Sequence, residues 1–145
     1  MSGFNQILKS SFIILSASFL IACSGTPPKD LGYLPEGDLR PCPSSPNCEL
    51  VSFENPYGLQ SGIDKLKASI LATEGELISQ QQVSDQKTYL HSEYTSLIMR
   101  FVDDVELVVN ENEVIMRSAS RLGHSDFGVN AARVEGIKAA FFAEQ

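Results

Sequence analysis

The run DDVELVVNENEVIMRSAS, Asp103 to Ser120, leaves a folding chain little choice. Two stretches rich in β-branched residues flank Asn110, Glu111 and Asn112. A polar connection of three residues returns the second stretch antiparallel to the first. The chain therefore contains at least one hairpin, and its neighbours extend the pattern. Leu77 to Val83 has strand character. In TYLHSEYTSLI, Tyr89, His91, Glu93 and Thr95 alternate with Leu90, Ser92, Tyr94 and Ser96, which leaves open which face is buried.

Helical spacing brackets these strands. Ile63, Leu66, Ile70 and Leu71 form one apolar stripe, with Ser61 and Asp64 placed as a capping box and Gly75 placed to end the helix. Val134, Ile137 and Phe141 repeat the spacing near the C-terminus, with Asn130 as a natural N-cap. The order of helix, strands and helix predicts an α+β fold: an antiparallel sheet of about four or five strands with two helices packed on one face. Tyr89, Phe101, Phe141 and Phe142 are expected in the core. Phe127 alone among the aromatics is placed to touch a partner.

The first residues carry an address. Lys9 precedes an apolar stretch from Phe12 to Ala22 that is too short for an ordinary membrane span. The sequence Leu20-Ile21-Ala22-Cys23 resembles a bacterial lipobox, which implies cleavage before Cys23 and attachment of a diacylglycerol to its sulfur. Ser24 in place of Asp resembles enterobacterial lipoproteins sorted to the outer rather than the inner membrane. Two or three acyl chains, at about 0.8 kcal/mol per buried methylene, hold a domain at a membrane. The expected protein is thus anchored in the cell envelope and faces the periplasm.

Charge narrows the partners. The chain carries 11 basic and 18 acidic residues. Cleavage before Cys23 removes Lys9 and no acid, so nucleic acid is excluded as a partner on charge and on compartment.

Residues 23 to 39 are rich in Gly, Pro, Ser and charged side chains and read as a tether, which places a single globular domain over residues 40 to 145. At its start, CPSSPNC holds Cys42 and Cys48. In an oxidising compartment the simplest account is a disulfide, with a metal or redox pair as the alternative. A metal site would call for shorter cysteine spacing and a nearby histidine, whereas His91 and His124 lie far downstream. No cofactor is implied.

One short run concentrates the polar chemistry. Arg117 to Asn130, RSASRLGHSDFGVN, holds two arginines, three serines, an aspartate and an asparagine. Taken with CPSSPNC and YLHSEYTSLIMRFVDDVEL, in this order and spacing, VIMRSASRLGHSDFGVNAARV resembles the bacterial and plastid family called domain of unknown function 1499. The resemblance covers about Arg40 to Phe142 and implies the extent of the domain, not an activity. Ala131 departs from a basic residue frequent in that family, which weakens any site built on that charge.

Three readings of the run follow from its residues. In the first, Gly123, Ser125, Asp126, Gly128 and Asn130 make a strand-to-helix crossing, while Arg117, Arg121 and Arg133 pair with Asp103 and Asp104 or with Glu93. In the second, Arg117, Arg121 and Arg133 converge with Ser118, Ser120, Asp126 and Asn130 on a small anionic or amphipathic ligand. In the third, His124, Ser125 and Asp126, or a metal on His91 and Glu93 of one strand face together with His124, support hydrolysis. The overall expectation is a non-enzymatic binding domain for such a ligand or for an envelope protein, with a hydrolase or metal-assisted enzyme as the alternative.

Overall fold

A computed structural model describes residues 25 to 144, so Cys23 and the signal segment lie outside the described residues. Seven elements follow one another: β1 (Cys48–Glu54), α1 (Leu59–Ala72), β2 (Glu76–Ser84), β3 (Lys87–Thr95), β4 (Val102–Val109), β5 (Glu113–Ser120) and α2 (Val129–Phe142). The strands form one sheet in the order β1-β5-β4-β3-β2, antiparallel throughout. The expected hairpin is β4 and β5, joined by Asn110 to Asn112. β1, which has no periodic signature strong enough to read in sequence, pairs with β5 and forms one edge. α1 then carries the chain across to β2 at the other edge.

Both helices cover the same face. Leu90 and Tyr94 of β3, Val105, Leu107 and Val109 of β4, and Val114 and Met116 of β5 pack against Ile63, Leu66 and Ile70 of α1 and Val134, Ile137 and Phe141 of α2. The α+β architecture matches the reading of the sequence. Leu71 does not join this core: it is 76% exposed, one position past the buried stripe. Phe101 and Phe142 are likewise exposed at 40% and 41%, whereas Tyr89 and Phe141 are buried as expected.

The helix ends differ from the spacing-based reading. α1 begins at Leu59, so Ser61 lies inside it, and the carboxylate of Glu111 accepts from the Leu59 N–H at 3.1 Å instead. Glu74, with φ 66°, takes the left-handed position after the helix. Gly75 serves a different need: a Cβ there would lie 2.4 Å from the Tyr94 ring, so glycine lets the turn approach that side chain.

The opposite face of the sheet is covered by a segment that composition suggested was free. Residues 30 to 39 fold back as a strap in which Tyr33 bridges Leu39, and the Gly37 N–H donates to the Leu34 carbonyl at 2.7 Å. Tyr33 and Leu39 pack with Tyr89 and Val108 in a second, smaller core. Two apolar side chains at the ends of one tight turn, with an ion pair from Lys87 to Asp38, seat this Gly- and Pro-rich stretch. Cys42 and Cys48 form a disulfide, which ties the end of the strap to the first residue of β1. Both cores draw on residues between Tyr33 and Phe141, so a chain starting at Ser24 retains all of their members.

A strap that packs has a measurable stability contribution. Leu39→Ala should cost about 2 to 4 kcal/mol in urea unfolding by analogy with other buried leucines. A value within about 0.5 kcal/mol, normal for an unpacked surface residue, would return this segment to the role of a tether.

Candidate functional site

The polar run divides between the two faces of the sheet. Strand alternation sends Arg117 toward the strap, while Ser118 and Ser120 point toward the helices. Arg121, just past β5, turns back over the strap-side face. Its Nε donates to Asp104 Oδ2 at 2.8 Å and its Nη2 to Asp104 Oδ1 at 2.7 Å, and Nη2 also pairs with Glu93. His91 Nε2 lies 2.8 Å from the same Asp104 Oδ1. One register step away, Arg117 Nη1 donates to Glu106 Oε2 at 2.9 Å. The Tyr89 hydroxyl and the Gly32 N–H both donate to Glu106 Oε1, at 2.9 and 2.7 Å.

On the helix side a separate cluster forms. Asn130 is buried in the first turn of α2, where its amide donates to the Asn47 carbonyl at 3.1 Å and to Ser120 Oγ at 3.0 Å, and its carbonyl accepts from Ser118. Arg133 Nη1 donates to Asn130 Oδ1 at 2.8 Å, and Nη2 pairs with Asp103 Oδ2 at 2.7 Å. Asn130 is not the helix cap. Asp126 takes that work: its Oδ2 accepts from the Asn130 N–H at 2.7 Å and its Oδ1 from the Gly128 N–H at 3.0 Å.

The three arginines therefore do not converge. Arg117 and Arg121 lie on one face of the sheet and Arg133 on the other, and each is paired with a carboxylate. On the strap side two guanidinium groups face Glu93, Asp104 and Glu106, which leaves no positive charge spare for an external anion. This is the first, structural reading of the run. It reaches one partner that sequence did not single out, Glu106.

Electrostatics agree with the geometry. Burial alone would raise the Asp104 carboxyl, but the hydrogen bonds from Arg121 and His91 outweigh it and hold the group below its ordinary 3.8. Asp126 is also held low: burial opposes, and the N–H groups of Asn130 and Gly128 prevail. Tyr89 is pushed far up by burial and by the neighbouring Glu106 carboxylate, so it remains a donor.

The hydrolytic arrangement does not form. His124 is exposed and makes no side-chain hydrogen bond among the described residues, Ser125 Oγ meets only the Phe127 N–H, and Asp126 is spent on α2. His91, Glu93 and Asp104 bring ligand atoms within 4.8 Å of one another. Arg121 bonds both carboxylates of that trio, so a cation would first have to displace a buried guanidinium.

The feature that sequence reading missed lies at one end of the sheet. The strand expected through Leu97 and Ile98 stops at Thr95, and the β3–β4 loop carries Leu97, Ile98 and Met99 out of the fold. Opposite it, the β5–α2 loop presents Leu122 and Phe127. Between the loops is a cavity of about 500 Å³ lined also by Phe101 and Val129, with Ser120 and Asp103 at its base. Phe127, the aromatic marked for partner contact, is 98% exposed. The signal was the apolar run SLIMRF placed where a hairpin connection should be polar.

The acid limb of stability tests the ion-pair cluster. A carboxyl held low contributes stability that is complete above its unfolded value and is lost as pH falls through its folded one. The urea midpoint should therefore fall as pH drops below 3.8, the ordinary value of Asp104. Arg121→Ala should cost about 3 to 5 kcal/mol at neutral pH, because it strands buried carboxylates. It should also flatten the acid limb, leaving the part that Asp126 supplies. An unchanged midpoint at pH 7 in that variant would contradict the pairing.

Comparison with known proteins adds one assignment. No curated protein matches the chain. Among solved structures, the vertebrate conserved region of human METTL16 aligns with 10% identity, covering 66% of this chain and 100% of that one, at a TM-score of 0.37, too low to bear on this chain. The family described as protein of unknown function DUF1499 matches residues 38 to 141, spanning the strap's end, all five strands and nearly all of α2, and the chain belongs to that family.

Proposed function

We propose that the protein is a lipid-anchored domain of the bacterial envelope, facing the periplasm from the outer membrane, that binds a small amphipathic ligand and performs no catalysis. The observation that carries the binding is the apolar cavity between the β3–β4 and β5–α2 loops. Its volume of about 500 Å³ lies in the range of small-molecule sites, and its walls are exposed apolar side chains that a soluble fold has no reason to gather. With Arg117, Arg121 and Arg133 all committed to carboxylates, an acyl or similar chain suits the site better than a simple anion. The anchor rests on Leu20 to Cys23, outside the described residues.

Thermal denaturation of the chain from Ser24 onward, with dodecylphosphocholine below its micelle concentration and with inorganic phosphate, separates these chemistries. A ligand at about a hundred times its dissociation constant adds roughly 2.7 kcal/mol, a shift of several degrees for a domain of this size. The amphiphile should raise the midpoint and phosphate should not. Met99→Asp and Leu122→Asp should each abolish the shift. An amphiphile effect that survives both variants, or none at all, would overturn the cavity as a ligand site.

A further inference from the structure

We infer that the loops carrying Leu97 to Phe101 and Leu122 to Phe127 dip into the phospholipid surface beside Cys23, so that the mouth of the cavity opens toward the bilayer. The inference rests on the lipid anchor proposed above and adds where the domain's apolar end points.

The path of the chain supplies the first support. Gly25 lies against the base of the β5–α2 loop, so closely that a Cβ there would sit 3.2 Å from Arg121 Cβ and 3.3 Å from Leu122 Cγ. Cys23 is two residues upstream, and two residues reach at most about 7 Å. A diacylglycerol on that sulfur brings the membrane to this end of the sheet and to no other.

Exposure supplies the second. Seven of the twelve exposed large apolar side chains among the described residues belong to these two loops and the start of α2, with Leu97 at 87%, Ile98 at 90% and Phe127 at 98%. The backbone is bent to present them: Arg100 and Phe127 hold φ of 57° and 55°, a region that side chains of this size seldom enter.

Charge supplies the third. Arg100 is exposed on the apolar loop and forms no ion pair among the described residues, unlike the arginines of the polar run. An arginine among apolar neighbours can bury its stem and keep its head at the level of lipid phosphates. Asp85, Glu111 and Glu113 sit on or beside the turns at the opposite end of the sheet, away from the surface. Glu74 and Glu76 border the apolar end at the α1–β2 junction, so a zwitterionic surface suits this face better than a strongly anionic one.

The absence of tryptophan from the chain makes a direct test available. Phe127→Trp and, as a control in the far turn, Asn112→Trp are placed singly in the chain from Ser24, which keeps every member of both cores. Each variant is titrated with phosphatidylcholine vesicles, with and without brominated acyl chains. The indole emission of Phe127→Trp should shift to the blue and be quenched by bromine, while that of Asn112→Trp should stay unchanged. Adding Ile98→Asp to the Phe127→Trp chain should weaken vesicle partition at least tenfold while leaving the thermal midpoint near that of Phe127→Trp alone. Three results would overturn the docking: emission from Phe127→Trp that ignores vesicles, equal responses of the two tryptophan variants, or a blue shift that appears with protein concentration alone, which would make a second copy the occupant. A midpoint raised by dodecylphosphocholine, with Phe127→Trp indifferent to vesicles, would refute the docking and keep the cavity. Insertion of the Phe127→Trp indole without any amphiphile effect would do the reverse.

Discussion

Asp104 and Glu106 stand on the same face of the central strand, both almost wholly buried, and the strap-side architecture answers to them. A carboxylate in such a place costs several kcal/mol unless charge and hydrogen bonds compensate it. Arg121 compensates the first, with His91 beside it, and Arg117, Tyr89 and the backbone of Gly32 compensate the second. These partners come from β3, β5, the loop after β5 and the strap, so four separate pieces of chain are held to one strand. The pairing also fixes register. A slip of β5 along β4 by one residue would part Arg117 from Glu106 and exchange the two faces of β5. Buried ion pairs add little net stability against an apolar equivalent, but they penalise every wrong alignment.

Much of this fold is legible in the sequence, and the illegible parts share a cause. The β4–β5 hairpin follows from its β-branched runs and polar connection, although β4 is buried on both faces, and the cores of both helices follow from period. β3 resists that logic. Tyr89 and His91 are buried under the strap while Leu90 and Tyr94 are buried under the helices, so its alternation does not mark inside from outside. The strap itself is hidden by its Gly and Pro content, since composition over a window does not weigh two well-spaced anchors such as Tyr33 and Leu39. Asp126 bonds nearby N–H groups as its type suggests, whereas Asn130, read as the cap, turns inward to the Asn47 carbonyl, Ser118 and Ser120.

The site shows the reverse pattern. Arg117, Arg121 and Arg133 drew attention by charge, yet the sheet separates them and carboxylates neutralise them. The loop SLIMRF drew none, because apolar residues next to a strand look like more strand. Its exposure depends on where β3 ends, a matter settled by pairing with Val102 of β4 and not by the loop's own composition. Polar density in this chain marks structural work, and the misplaced apolar run marks the exposed apolar end of the sheet.

The disulfide has a mechanical side. The chain enters the domain at Gly25, crosses the outer face as the strap, and reaches Cys42, which is bonded to Cys48 at the start of β1. A pull on the N-terminus therefore acts on the strap as on the end of a strip of tape, lifting Tyr33 and then Leu39 in turn. Beyond them the load passes through Cys42 and its disulfide straight to Cys48, the first residue of the edge strand β1. The disulfide keeps residues 43 to 47 out of that path, so once the strap is lifted the force falls on the edge strand itself.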